Sequence, residues 1–148
     1  MSEPRIFVSF DIDHDEELYQ RLVAESRIPA SGFAVLGGSE RLLTTDVWSD
    51  NLRSRICRAD QLIVICGEHT EASVSVGAEL RIAREERIPY FLLWGRREIM
   101  CTKPIGAGSA EGMYSWTRQI LQDQIGFTLR SALADATAGI LRNAAPKS

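Results

Sequence analysis

The chain has 148 residues, 45% of them hydrophobic and 25% charged, which are the proportions of a globular protein with a core of its own. Its formal net charge of −3 and the lack of a long Lys/Arg run argue against nucleic-acid binding. The sequence has no run of about 20 apolar residues and no secretory signal at its start, so we expect a cytoplasmic protein that does not enter a membrane.

Short apolar runs alternate with amphipathic stretches, which predicts βαβ units around a mostly parallel sheet within one domain, residues 1–148. The runs that predict strands are 5–10, 33–36, 62–66 and 90–94. Helices are expected between them. The predicted helices begin in the acidic stretch 13–17, cover about 45–58, and end near Arg87 ahead of Pro89.

The second part of the chain has weaker patterns. Residues 95–112 contain several glycines and predict a long surface loop, with a short fifth strand near 99–102. Residues 113–143 carry two helical patterns that Gly126 separates, and residues 144–148 are expected to fray.

Glu79 lies within the apolar face of the helix that precedes the run 90–94. At 3.6 residues per turn, Val76, Leu80 and Ala83 share this face with it. A carboxylate in such a position costs free energy unless it is paired or lines a crevice. The two interpretations are therefore a boundary carboxylate paired with an arginine and a functional group in a cleft.

Ligands of open parallel α/β sheets bind beyond the carboxyl ends of the strands. Here that edge is expected to contain residues 9–11, 37–39, 66–67 and 94–95. Glu79 lies in the first turns of its helix and therefore at the same edge. The helix dipole favours the ionised form there by up to about 1 kcal/mol, so we expect an ionised carboxylate at neutral pH.

Four features follow one another in the order typical of TIR domains. They are the segment Arg-Ile-Phe-Val-Ser-Phe-Asp at 5–11, a glycine-containing loop after the second strand, Trp48 in a helical stretch, and Ser-Val-Ser-Val-Gly-Ala-Glu-Leu-Arg-Ile-Ala at 73–83. Over residues 5–94 the chain resembles a TIR domain, most closely the bacterial TIR-like proteins of anti-phage Thoeris systems. The resemblance implies a flavodoxin-like three-layer α/β/α fold with a central, mostly parallel sheet of about five strands.

The resemblance also implies an activity. Catalytic members of the family cleave NAD⁺ between nicotinamide and ribose, releasing ADP-ribose or a cyclised ADP-ribose signal, and their catalytic glutamate falls on Glu79. NAD⁺ is then a substrate and not a permanently bound cofactor. The expected partners are further copies of the domain, through TIR–TIR self-association, and an effector protein that responds to the product.

The substrate-binding residues are expected to lie around the same sheet edge, where glycine lets backbone donors approach a diphosphate. These residues are Ser9, Phe10, Asp11, Gly37, Gly38, Ser39 and Trp48. The plainer interpretations are that Gly37-Gly38 forms a turn, that Asp11 caps one and that Trp48 is a core or interface residue. Many TIR domains have Trp-Cys or Trp-Val before the glutamate where this chain has Ser75-Val76, so an aromatic surface would have to come from Trp48 or Trp94.

A single carboxylate suffices for this chemistry. Ordinary glycoside hydrolysis needs two, because the leaving group must be protonated. Nicotinamide in NAD⁺ is already a cationic pyridinium and leaves as a neutral molecule. One ionised glutamate can then stabilise the ribosyl cation and hold the ribose hydroxyls.

Two alternatives from other functional classes remain open. One is a non-catalytic scaffold that uses the same fold for TIR–TIR assembly, and the other is a nucleoside deoxyribosyltransferase-like enzyme whose glutamate attacks the sugar. The chain's three widely spaced cysteines and two histidines predict neither a disulfide framework nor a metal site.

Overall fold

The computed structural model describes residues 3–40 and 45–126, with the backbone alone described for 45–49. The strands within these ranges are β1 (Arg5–Ser9), β2 (Ala34–Gly38), β3 (Gln61–Cys66), β4 (Tyr90–Trp94) and β5 (Met113–Ser115). The helices are α1 (Glu16–Ser26), α2 (Thr45–Cys57) and α3 (Val74–Glu85), with a 3₁₀ turn (Thr70–Ala72) ahead of α3. Residues 118–126 are also helical.

The five strands form one sheet in the order β2-β1-β3-β4-β5, and every neighbouring pair is parallel. This is the flavodoxin-like order, so the predicted fold class is confirmed. The direction in which strands are added to the sheet reverses between β1 and β3. The chain places β2 on one side of β1 and then places β3, β4 and β5 on the other side. In such sheets the crevice for a ligand lies beyond the carboxyl ends of β1 and β3.

Helices cover both faces of the sheet. Alternation along β3 divides its side chains, so that Ile63 and Ile65 pack with α1 and residues 118–126, while Leu62 and Val64 pack with α2 and α3. The whole of β3 is buried, as expected for the central strand of a sheet that is covered on both sides.

α3 has the apolar stripe that its sequence predicts. Its buried residues are Val76, Glu79, Leu80, Ile82 and Ala83. The helix begins after Ser73, whose hydroxyl accepts a hydrogen bond from the backbone N–H of Val76. It ends at Glu85, shortly before Arg87 adopts a positive φ of 58°.

Some predicted boundaries need correction. The predicted strand at 90–94 matches β4, but the predicted fifth strand near 99–102 is wrong, because β5 lies at Met113–Ser115. Gly37 and Gly38 belong to β2, where they pair with Phe7 and Val8, and do not form a loop. The segment 113–143 is predicted to be helical, but it begins with strand β5. Residues 127–148 of this segment and the tail lie outside the described part of the chain.

Candidate functional site

Glu79 is fully buried, and two serine hydroxyls bind the same carboxyl oxygen. Ser9 Oγ lies 2.6 Å from Glu79 Oε1 and Ser39 Oγ lies 2.5 Å from it, and both hydroxyls donate. Ser39 Oγ also accepts from the backbone N–H of Phe10, which fixes the direction of its own proton. Three separate segments of the chain thus meet at one carboxyl group.

The alternation of side chains along β1 explains how Ser9 reaches α3. Ile6, Val8 and Phe10 pack on the α1 face of the sheet, while Phe7 packs on the opposite face. Ser9 therefore faces α3 as Phe7 does. Ser39 directly follows β2 and is held by the hydrogen bond from its N–H to the Val8 carbonyl.

The second carboxyl oxygen of Glu79 is buried without a hydrogen-bond partner among the described residues. Within the same ranges Glu79 forms no ion pair, and the guanidinium of Arg55 acts on it only at a distance. Arg55 itself donates to the Gly38 carbonyl, at 2.9 Å. The described contacts therefore do not show Glu79 paired with an arginine.

Burial raises the pKa of Glu79 to about 8, although the hydrogen bonds from Ser39 and Ser9 act in the opposite direction. The prediction of an ionised carboxylate at neutral pH is wrong, because loss of hydration outweighs the helix dipole. Glu79 is mainly protonated at pH 7. Since Oε1 accepts two hydrogen bonds, the proton is expected on Oε2, where it has no described acceptor.

A cleft of about 490 Å³ lies at this edge of the sheet, and Glu79, Ser9 and Ser39 are not among its described lining residues. Its described lining comprises residues 11–14 after β1, Glu40 after β2, His69, and residues 72–75 at the start of α3. Ser75 lies one helical turn before Glu79, and Asp11 and Glu40 closely follow the two serines that bind it. The lining residues thus neighbour Glu79 and its two serines along the chain, at the edge of the sheet where a ligand is expected.

Asp11 and two histidines form one side of the cleft. Asp11 Oδ1 accepts from the backbone N–H of Asp13, and Oδ2 lies 2.7 Å from His14 Nδ1. This hydrogen bond raises the pKa of His14. The rings of His14 and His69 are in contact, with centroids 4.1 Å apart, so they join the β1–α1 loop to the segment after β3.

The structure brings together some of the predicted site residues and separates others. Ser9 and Ser39 bind Glu79, and Asp11 lines the cleft. Phe10 instead points into the core, where its ring stacks on Tyr19 with centroids 4.6 Å apart. The predicted role of Phe10 in shaping the pocket therefore stays a prediction without a described contact.

Gly37 and Gly38 lie beside the site and are absent from the described lining of the cleft. A Cβ on Gly38 would lie 2.7 Å from a Tyr19 ring carbon, and a Cβ on Gly37 would lie 3.0 Å from the Arg55 guanidinium. Close packing thus explains Gly38, whereas the end of the Arg55 side chain could move away from a Cβ on Gly37. Contact of either glycine with a diphosphate stays a prediction. The side chain of Trp48 lies outside the described part of the chain.

Sequence reasoning missed Glu40, His14 and His69 as cleft residues. From the sequence, the two histidines are candidates only for metal ligation, and nothing in their spacing shows that their rings are in contact. In residues 3–40 and 45–126 no group of three or more His, Cys, Asp or Glu side chains is placed to hold a metal ion. In the same ranges no helix is both long enough and apolar enough to cross a bilayer.

A second buried carboxylate lies at the same edge of the sheet. Asp15, ahead of α1, is 1% exposed, and Arg96 in the connection after β4 donates to its Oδ1 at 2.9 Å. Arg96 also donates to Glu17 and to the His14 carbonyl. Burial raises the pKa of Asp15, and the hydrogen bond from Arg96 opposes this change.

Comparison with known proteins gives similarity among solved structures alone. No protein-family model matches the chain, and no curated protein sequence matches it. Among solved structures the chain is similar to a prokaryotic SEFIR domain, with 16% sequence identity and a TM-score of 0.47. The match covers 88% of this chain and 92% of that one. At this level of similarity, the fold assignment rests on the strand order of the sheet itself.

Proposed function

We propose that this protein is a TIR-like domain that cleaves the bond between nicotinamide and ribose in NAD⁺, with Glu79 as its catalytic residue. The observation that carries the proposal is a buried carboxyl group, without an ion pair among the described residues, at the same edge of the sheet as a cleft of about 490 Å³. The ordered sequence segments that resemble TIR domains support the same assignment. They also support the proposed role in anti-phage defence signalling.

The reaction breaks one bond and forms another. The electron pair of the bond between ribose C1′ and the pyridinium nitrogen leaves with nicotinamide, which becomes neutral. Water, or a nucleophilic atom of the same ADP-ribose unit, then adds to the ribosyl cation, and a proton is released where the nucleophile is water or a hydroxyl group. The first case gives ADP-ribose and the second gives a cyclised product.

Glu79 acts in this scheme in its ionised form. The free protein holds it mainly protonated at neutral pH, because its pKa is about 8. A pyridinium bound in the cleft favours loss of the proton, since an opposite charge nearby stabilises the carboxylate. The two serine hydroxyls hold Oε1, and the carboxylate has to become accessible to the ribose, because Glu79 is fully buried in the free protein.

Release of nicotinamide from NAD⁺ tests the proposal directly. The purified protein should be incubated with NAD⁺ at several protein concentrations, because self-association is part of the proposed activity. We expect steady nicotinamide release that Glu79→Gln slows by about 100-fold or more. The value of kcat/KM should rise with pH and level off above the Glu79 pKa of about 8.

Glu85→Gln is the matched control for this experiment. Glu85 lies on the same helix but is exposed, and it pairs with Arg53 at 2.8 Å far from the described cleft. This variant should retain full activity. Equal turnover in the wild type and Glu79→Gln would contradict the proposal, and base exchange between deoxynucleosides without NAD⁺ cleavage would favour the deoxyribosyltransferase alternative.

A second candidate function is a non-catalytic scaffold that assembles with copies of itself. It is favoured by the complete burial of Glu79 and by three strongly exposed apolar side chains, Val74 at 74%, Met100 at 75% and Ile105 at 72%. This function predicts oligomers that grow with protein concentration, without nicotinamide release. Light scattering alongside the NAD⁺ assay separates the two candidates.

A further inference from the structure

Two histidines that the proposed reaction does not use line the cleft, and a buried carboxylate holds one of them. Asp11 is 6% exposed, its Oδ2 lies 2.7 Å from His14 Nδ1, and its Oδ1 accepts from the backbone N–H of Asp13. Because a carboxylate accepts hydrogen bonds and does not donate them, Nδ1 carries the proton. Neutral His14 therefore has its lone pair on Nε2, on the side of the ring away from Asp11.

The ring of His69 leaves Nε2 of His14 accessible. The centroids of the two rings are 4.1 Å apart and their planes differ by 36°, so His69 packs against the face of the His14 imidazole and not against its edge. Within the described part of the chain, the contact with Asp11 is the only hydrogen bond of the His14 ring. Half of the His14 side chain is exposed. Nε2 can therefore accept a proton from a molecule in the cleft.

The pair of Asp11 and His14 follows β1, close along the chain to the contacts of the carboxyl group that we propose as catalytic. Ser9, two residues before Asp11, donates to Glu79. An imidazole that a carboxylate holds through Nδ1 is well suited to take a proton from a nucleophile through Nε2. Departure of nicotinamide needs no such base, whereas addition of water to the ribose releases a proton that must go to an acceptor.

We propose that His14 is the general base for the water that adds to the ribosyl cation, with Asp11 as its positioning residue. The inference rests on the proposed function and adds a second catalytic residue to it. In this step a bond forms between the water oxygen and ribose C1′, and one proton of the water passes to His14 Nε2, from which solvent removes it. Glu79 acts while the bond to nicotinamide breaks and His14 acts in the next step, so their substitutions should have different effects.

Two reactions of NAD⁺ separate these steps. Formation of linear ADP-ribose needs both steps, whereas exchange of labelled nicotinamide into NAD⁺ needs only cleavage and its reversal, because the pyridine nitrogen attacks without losing a proton. We expect His14→Gln to lower the formation of linear ADP-ribose by about 100-fold and exchange by less than about threefold. Glu79→Gln should lower both reactions. Glu85→Gln, the exposed control on α3, should lower neither.

The pH dependence tests the positioning role of Asp11. The charged or titratable groups around the His14 ring are Asp11, Asp13 and Asp15 of its own segment, Glu40 after β2, Glu68 and His69 after β3, and Arg96 after β4. The hydrogen bond to Asp11 has the largest effect and raises the pKa of His14 from its ordinary value of 6.5, whereas burial opposes this change. The ratio of hydrolysis to exchange should rise with pH as His14 loses its proton, and the titration of Glu79 cancels because it affects both reactions.

Asp11→Asn should lower the upper limit of this ratio by about tenfold and move its rise to lower pH, because an amide does not stabilise the imidazolium as a carboxylate does. An NMR titration of the His14 ring should show the same decrease in pKa. Circular dichroism checks that the variants fold.

The outcomes distinguish this inference from the proposed function. Equal losses of hydrolysis and exchange in His14→Gln, or no loss of either, would overturn the inference and leave NAD⁺ cleavage by Glu79 standing. Loss of hydrolysis in His69→Gln with none in His14→Gln would do the same, as would a wild type that forms only a cyclised product. A wild type that neither hydrolyses NAD⁺ nor exchanges its nicotinamide, and forms no cyclised product, would overturn the proposed function together with the role of His14.

Discussion

Two buried carboxyl groups lie at the same edge of the sheet, and their surroundings differ. Asp15 has a guanidinium beside it, with Arg96 2.9 Å from its Oδ1. Glu79 has only serine hydroxyls, and no described ion pair. Both groups have one oxygen without a described hydrogen-bond partner, and burial raises the pKa of each.

The two carboxyl groups differ in whether a positive charge compensates their burial. The Asp15–Arg96 pair ties the start of α1 to the connection after β4, and a buried pair of this kind holds segments in place. Glu79 receives no such compensation, so its burial costs stability whenever it ionises. An uncompensated buried carboxyl group at this edge of the sheet has a cost in stability, and such costs are typical of functional sites.

The pH dependence of stability should show this cost most clearly. The pKa of Glu79 rises from an ordinary value of 4.5, expected in the unfolded chain, to about 8 in the folded protein, so the folded state binds the proton more tightly. The resulting stabilisation is complete below about pH 4.5 and is lost as the pH rises through about 8. Glu79→Gln lacks this titration. We expect it to match the wild type at acidic pH and to be more stable by roughly 3 to 5 kcal/mol at about pH 9.

Urea unfolding of both proteins across this pH range measures the effect, because the difference between them cancels the titration of the other groups. Glu85→Gln serves as the control and should follow the wild type at every pH. A stability difference between wild type and Glu79→Gln that stays constant with pH would mean that Glu79 ionises in the folded protein as easily as in the unfolded chain.

Gly67→Ala should disrupt the paired carboxylate by steric conflict. A Cβ at this position would lie 2.2 Å from Asp15 Oδ2 and 2.7 Å from Asp15 Cγ. The carboxylate cannot move away without loosening its contact with Arg96, so we expect a loss of about 3 kcal/mol in the free energy of unfolding. Gly112→Ala is the control, since a Cβ there meets nothing within 4 Å. Equal melting temperatures for the two variants would contradict the described packing.

Arg96→Met tests the ion pair without a steric change. Methionine keeps most of the side-chain length but leaves Asp15 buried without its cation, which should cost about 2 kcal/mol at neutral pH. Arg96 lowers the pKa of Asp15, so removing it raises that pKa further, and the loss should shrink as the pH falls and Asp15 becomes protonated. Arg53→Met, which breaks two exposed ion pairs, should cost less stability than Arg96→Met at neutral pH.

The sequence predicts the interior of this fold better than its edges. The buried runs of β3 and β4 have a strong apolar signal, and the stripe of α3 shows Glu79 as an exception within it. β5 has only three residues, of which two are exposed, so no apolar run indicates it. Glycines usually indicate a turn, but Gly38 lies in β2, where a Cβ would come within 2.7 Å of a Tyr19 ring carbon and 2.9 Å of the Val8 carbonyl oxygen.

The site was predictable in its location and unpredictable in its ionisation. Strand alternation and the edge rule place Ser9, Ser39 and Glu79 at one end of the sheet, but only the folded structure shows both hydroxyls on one oxygen. The helix dipole is visible in a sequence, whereas complete desolvation depends on what surrounds the group. For Glu79 the second effect is larger, and it reverses the charge state expected at pH 7.

Ser9→Ala should produce the smallest effect and test the polarity of this centre most specifically. It removes one donor to Glu79 Oε1, which should cost about 1 kcal/mol of stability. Because this hydrogen bond lowers the pKa of Glu79, its loss should move the midpoint of the pH-dependent stability to higher pH. Ser31→Ala is a matched buried serine whose hydroxyl donates to the Ser26 and Phe33 carbonyls, so it should lose similar stability without moving the midpoint. If both variants keep the wild-type midpoint, the Ser9 hydroxyl does not stabilise negative charge on Glu79, and a role for it in preparing the carboxylate for a cationic substrate is excluded.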